Sequence, residues 1–99
     1  MAGNRSFSRR ERVAEQIRRE LADLIRSELR DPRVGMISLT EVAVSPDYAH
    51  AKVFFSSLGG SEHLDSVMAG LEHAAGFLRT ELGKRISLHM TPQLHFVFD

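Results

Sequence analysis

The sequence predicts an α+β domain in the order α-β-β-α-α-β, a three-stranded sheet with helices packed on one face. Three observations predict it. A long apolar stripe at helical spacing starts directly behind a capping signal. Two segments of alternating polarity follow, joined by a short proline turn. A second stretch of helical spacing then leads to a last alternating segment.

Ser8-Arg9-Arg10-Glu11 fits a capping box, in which the Ser8 hydroxyl and the Glu11 carboxylate each accept from the other's amide. Behind it Val13, Ile17, Leu21, Leu24 and Ile25 recur at steps of three and four, and Leu29 adds a turn. Asp31-Pro32 stops the pattern, because proline disfavours helical backbone in the residue before it. The spacing predicts a helix over 8–30.

Gly35 introduces Met36–Ser45. Ile37 and Leu39 alternate with polar neighbours, and then the apolar phase shifts to Val42 and Val44, which predicts a bulge or strong twist near Thr40–Glu41. Ser45-Pro46-Asp47 is turn chemistry. Ala49, Ala51, Val53 and Phe55 form one face of a second strand, antiparallel to the first because the connection is short. Leu58-Gly59-Gly60 is a break, and Ser61 is a candidate N-cap. Leu64, Val67, Met68 and Leu71 make a helical stripe, which Ala74-Ala75-Gly76 interrupts before Phe77, Leu78 and Leu82 resume it on a changed face. Interior glycine costs a helix about 1 kcal/mol relative to alanine, so the pattern predicts two helices joined by a kink. Ile86–Met90 alternates and reads as the start of a strand. Thr91-Pro92 fits an edge or bulge, and Leu94, Phe96 and Phe98 mark the final strand. Residues 1–7 are expected to be a flexible N-terminus and 8–99 one domain.

Composition bounds the function. Thirteen basic residues balance thirteen acidic ones over 99 residues, which argues against a globally basic nucleic-acid binder but not against a local basic patch. Residues 1–35 hold nine arginines against six acids, residues 36–78 one lysine against five acids, and residues 79–99 three cations against two acids. The two ends are therefore basic and the middle is acidic. The absence of cysteine excludes a disulfide framework, a thiol nucleophile and thiolate zinc sites. No apolar run approaches the ~18 residues of a membrane span, and the N-terminus lacks a signal-peptide apolar region, so a cytoplasmic protein is expected.

No catalytic motif stands out. His50, His63, His73, His89 and His95 show no H-E-x-x-H spacing and read as ordinary surface or partly buried histidines. There is no G-x-S-x-G elbow and no phosphate loop, and the carboxylates are scattered. No enzyme activity, metal or cofactor is expected. Binding remains. Most phenylalanines lie in core patterns, whereas Phe7 sits beside Arg5, Arg9 and Arg10 as either a stacking residue or a hydrophobic staple. Two basic groups are candidate RNA contacts. Arg5, Arg9, Arg10 and Arg12 surround the first helix's N-terminus, where cations oppose the helix dipole and an external anion would be favourable. Arg79, Lys84 and Arg85 lie near the end of the last helix, where cations need no ligand.

The run Asp31-Pro32-Arg33-Val34-Gly35-Met36-Ile37-Ser38-Leu39-Thr40, then Val42, Val44-Ser45-Pro46-Asp47 and Ala51-Lys52-Val53, resembles the bacterial ribosome-binding factor A family. So do Arg12-Val13-Ala14 with Ile17, Glu20-Leu21 and Ile25. The late segment Gly76-Phe77-Leu78-Arg79 through Leu82, with Thr91-Pro92-Gln93-Leu94-His95-Phe96 and Asp99, fits as well. The resemblance covers residues 8–99 and implies a type II KH-like domain. Ordinary KH modules clamp nucleic-acid backbone with a GxxG loop. This chain has none; Ala74-Ala75-Gly76 looks like the family's interhelical kink instead. The resemblance further implies a monomeric, non-catalytic assembly factor that binds the free 30S subunit and 16S rRNA. Such factors assist late maturation, including 16S 5′-end processing, and matter in cold adaptation. The alternative is a KH-like protein-interaction module that binds a ribosomal protein or GTPase. Family members commonly continue past the strand that ends near Asp99 with a short tail, which this sequence lacks; if the tail contributes to subunit binding, the chain is expected to fold normally and bind less well.

Overall fold

The computed structural model describes residues 7–99; Arg5, and all of the expected flexible N-terminus except Phe7, lie outside the described residues. Helix α1 spans Arg9–Ser27. The capping box forms as expected: the Ser8 amide donates to Glu11 Oε1 (2.9 Å) and the Glu11 amide donates to Ser8 Oγ (3.1 Å). The apolar stripe is buried through Val13, Ala14, Ile17, Leu21 and Leu24. Fully burying side chains such as Ile17, Leu21 and Leu24 is worth about 1.5–3 kcal/mol each, which holds α1 on the sheet. The helix closes three residues before the sequence expectation, at a Glu28 amide that donates to the Leu24 carbonyl.

Strands β1 (Ile37–Val44) and β2 (His50–Ser57) pair antiparallel, with the register shift falling between Leu39 and Glu41 as the phase change predicts. Thr40 is left unpaired there, and its hydroxyl donates to Asp99 Oδ2 (2.9 Å). Strand β3 (Gln93–Phe98) runs parallel to β2, so the sheet order is β1-β2-β3. Period-two alternation puts Val42, Val44, Ala51, Val53, Phe55, Leu94 and Phe96 on the buried face with α1 and α2. The opposite face carries exposed Glu41, Ala43, His50, Lys52 and His95, with half-buried Phe54 and Val97.

The class and the sheet match the sequence expectation, but the segment between β2 and β3 differs from it in detail. Helix α2 runs unbroken over Leu64–Arg85, so the two expected helices are one continuous helix. Its buried residues, Val67, Gly70, Leu71, Ala74, Leu78 and Leu82, follow a single stripe at helical spacing. Ala74 is the core residue that joins the two halves, which polarity alone reads as an interruption. Phe77 falls off that stripe and is 45% exposed, so it is not a core residue. The helix N-cap is His63, not Ser61; His63 adopts left-handed backbone (φ 65°) and makes no side-chain cap bond. Ile86–Met90 is not a strand. The Leu88 amide donates to the Ile86 carbonyl in a tight turn, and Ile86 is buried, so the apolar alternation there reflects docking onto the core and not ladder pairing.

Gly70 is where α2 comes closest to the loop after α1. A Cβ built there would lie 2.9 Å from Val34 Cγ2 and 3.3 Å from Arg33 Cβ. Asp31 fixes that loop by accepting from the Arg33 amide (2.9 Å) and from its guanidinium (2.6 Å). These bonds hold the Asp31 carboxyl at a pKa of about 2.

Candidate nucleic-acid interface

The first turn of α1 presents Arg9, Arg10 and Arg12, all exposed. Arg12, at the position where a hydrophobic staple needs an apolar partner for Phe7, is tethered instead: its guanidinium donates to the Phe7 carbonyl. Phe7 is 60% exposed, so the staple reading fails and its ring stays accessible. Among the described residues, no carboxylate forms an ion pair with Arg9, Arg10 or Arg12. Their charges stand at the positive end of the helix dipole, where Glu11 is the one acidic residue of the first turn. A groove of about 500 Å³ runs beside them, lined by Arg9, Arg12, Val13, Gln16, Ile86 and Leu88. Its arginines are exposed, and Val13 and Ile86 are its buried members.

The second predicted group is not a cluster. Arg79 and Lys84 are five residues apart on α2, which separates them by about 140° around the helix. Arg79 donates to the Thr91 carbonyl through Nε (3.1 Å) and Nη2 (2.8 Å), tying α2 to the approach of β3. Lys84 pairs with Glu81 (3.1 Å) within α2. Arg85 crosses to α1, donating to Glu20 Oε1 (3.2 Å) and Asp23 Oδ2 (2.7 Å). That contact holds the Asp23 carboxyl below the usual carboxylate range. Ala74 is buried, Ala75 half-buried and Gly76 exposed, with open space where a Gly76 Cβ would stand.

Arg19 and Arg26 extend the basic surface and were not singled out from sequence. They follow Arg12 at seven-residue steps, which places the three along one outward line of α1 at intervals of about 10.5 Å. Arg19 and Arg26 are 70% and 73% exposed at their side chains. Glu15 pairs with Arg18 (2.6 Å) and more loosely with Arg19 (3.7 Å), and Asp23 pairs with Arg26 (2.7 Å) and with Arg85 from α2 (2.7 Å). Arg85 thus raises the positive field of α1 by neutralising its acids without itself being free. The seven-residue spacing was the available signal.

The class these elements define is an α+β, KH-like domain with a cationic start to its first helix. The profile of the ribosome-binding factor A family matches residues 9–99. A ribosome-binding factor A from Dechloromonas aromatica is 68% identical over 95 residues, covering 96% of this chain and 76% of its own. The crystal structure of ribosome-binding factor A from Thermus thermophilus shares the fold, with a TM-score of 0.80 at 24% identity over 91% of this chain and 96% of its own. A homology model of the Thermus thermophilus factor, fitted into a cryo-electron-microscopy map of its complex with the 30S subunit, superposes with a TM-score of 0.73 at 25% identity, over 88% of this chain and 91% of its own. The chain belongs to the ribosome-binding factor A family.

Proposed function

We propose that this chain is a ribosome assembly factor that binds the free 30S subunit and assists its late maturation, including 16S rRNA 5′-end processing, without catalysing a reaction. It acts as a cytoplasmic monomer, contributes to growth in the cold, and uses residues 8–99 as one KH-like unit. The family match over residues 9–99 carries this reading. The relative fitted into a 30S complex supports the choice of partner.

Arg9, Arg10 and Arg12, with Arg5 preceding them, contact rRNA phosphates and position the domain without reading bases. Arg79 and Lys84 add peripheral charge, and Arg85 acts through Glu20 and Asp23. Of the small residues Ala74, Ala75 and Gly76, the exposed Gly76 leaves the middle of α2 open to an RNA backbone, while Ala74 packs on the core. The acidic central segment disfavours non-specific RNA and gives orientation without net charge.

Cosedimentation with purified small subunits, large subunits and assembled ribosomes at two salt concentrations tests the proposal. Selective binding to free small subunits that weakens with salt is expected. Binding that survives ribonuclease and ignores salt would replace it with the protein-interaction reading.

A further inference from the structure

The face of the sheet away from the helices brings together two histidines that sequence places 45 residues apart. His50 lies on β2 and His95 on the parallel strand β3, two residues beyond the partner of His50, Gln93, and so on the same face. His50 Nδ1 and His95 Nε2 are 2.9 Å apart, with ring centroids at 5.1 Å and a tilt of 39°. Both residues are exposed. Their backbones are fixed by ladder pairing, so the proximity is built into the sheet. Neither nitrogen has another hydrogen-bond partner among the described residues.

We propose that His50 and His95 form a two-imidazole site for a borderline divalent transition metal, Zn²⁺, Ni²⁺ or Cu²⁺. Imidazole nitrogen suits these ions, and Mg²⁺ and Ca²⁺ prefer oxygen. Two nitrogens bound cis to one metal at 2.0–2.1 Å stand about 2.9 Å apart in square or octahedral geometry and about 3.3 Å apart in a tetrahedron. The present 2.9 Å is a hydrogen-bond contact between the rings, and it brings both nitrogens within the span that one ion bridges. Both rings now point at each other, so each must swing outward for its lone pair to meet the ion, and exposure leaves them free to do so. Each neutral ring keeps its single proton, on Nε2 of His50 and on Nδ1 of His95, and water completes the coordination. No group of three or more His, Cys, Asp or Glu side chains among the described residues offers a competing site. The Asp47 carboxylate near His50 favours a cation there, and the Lys52 ammonium, in register with His95, opposes one.

Calorimetric titration of the intact chain with nickel chloride and with zinc chloride tests the site. A micromolar Kd at one ion per chain is expected, together with a rise in melting temperature because the ion clamps β2 to β3. His50→Gln and His95→Gln should each weaken binding at least about tenfold. His73→Gln, on α2, should leave it unchanged. Binding that persists in either Gln variant, or a wild-type Kd weaker than millimolar, overturns the proposal. Both ligands lie on the exposed face, so the variants keep the fold, and their unliganded melting curves check this.

Discussion

Replacing Gly70 and Gly76 separately by alanine tests whether α2 is one continuous helix. Both lie inside Leu64–Arg85, so each variant gains the same helix propensity, about 1 kcal/mol. Their surroundings differ. The new Cβ at Gly76 meets nothing within 4 Å, whereas at Gly70 it lies 2.9 Å from Val34 Cγ2, and Val34 is only 3% exposed. Inserting a methyl against such a wall costs about 1–3 kcal/mol. Gly76→Ala should therefore stabilise by about 1 kcal/mol, a rise of about 4–8 °C in melting temperature for a domain of this size. Gly70→Ala should fall between neutral and about 2 kcal/mol less stable. The difference between the variants cancels propensity and reads packing against the loop of residues 31–34, with Val34 the tightest contact. Thermal and urea melts followed by helical circular dichroism measure both. If Gly76→Ala destabilises, the backbone at 76 is not interior helix and the single-helix description is wrong. Equal effects would refute the packing argument at Gly70.

Acid should destabilise the fold in a defined window. Asp31, Asp23, Glu15, Glu11 and Asp47 all have carboxyl pKa values lowered in the folded chain by hydrogen bonds from arginines or backbone and hydroxyl groups. Their stabilisation is complete above the unfolded carboxylate range, near pH 4–5, and is lost as the pH falls through the folded values, down to about 2 for Asp31. Melting temperature should drop over that range, and Asp31→Asn should flatten the drop; an unchanged slope in that variant would count against the loop contact. Arg85→Met removes the partner shared by Glu20 and Asp23. It should lower the melting temperature at low salt, with the gap from wild type narrowing as salt rises. A gap independent of salt would show that packing, and not charge, is what Arg85 supplies.

Local signals were legible where they did not depend on distant partners. The Ser8–Glu11 box, the α1 stripe and the bulge at Thr40 are all encoded within a few residues, and all formed. Polarity patterns mislead where tertiary packing decides. Ala74 reads as part of a kink between two helices yet is buried in the α2 stripe, and Phe77 reads as core yet faces out. Ile86 and Leu88 alternate like a strand because both dock on the core from a turn. The candidate site shows the same division. The arginines at the α1 start could be found from charge against the helix dipole. The partners of Arg79 and Arg85 lie on other elements, so their intramolecular roles were invisible. The His50–His95 pair depends on parallel register and was equally hidden.

The central claim is that the start of α1 carries subunit binding, and the direct test is the affinity of two variants for free small subunits across a salt series. Arg9, Arg10 and Arg12 are replaced by alanine in one, and Arg79 and Lys84 in the other, with unchanged melting curves as the check on folding. The account predicts a large affinity loss in the first, with the salt slope shallower by about 1 for each arginine that held a phosphate, and a small loss in the second. Wild-type affinity and slope in the first variant would contradict it.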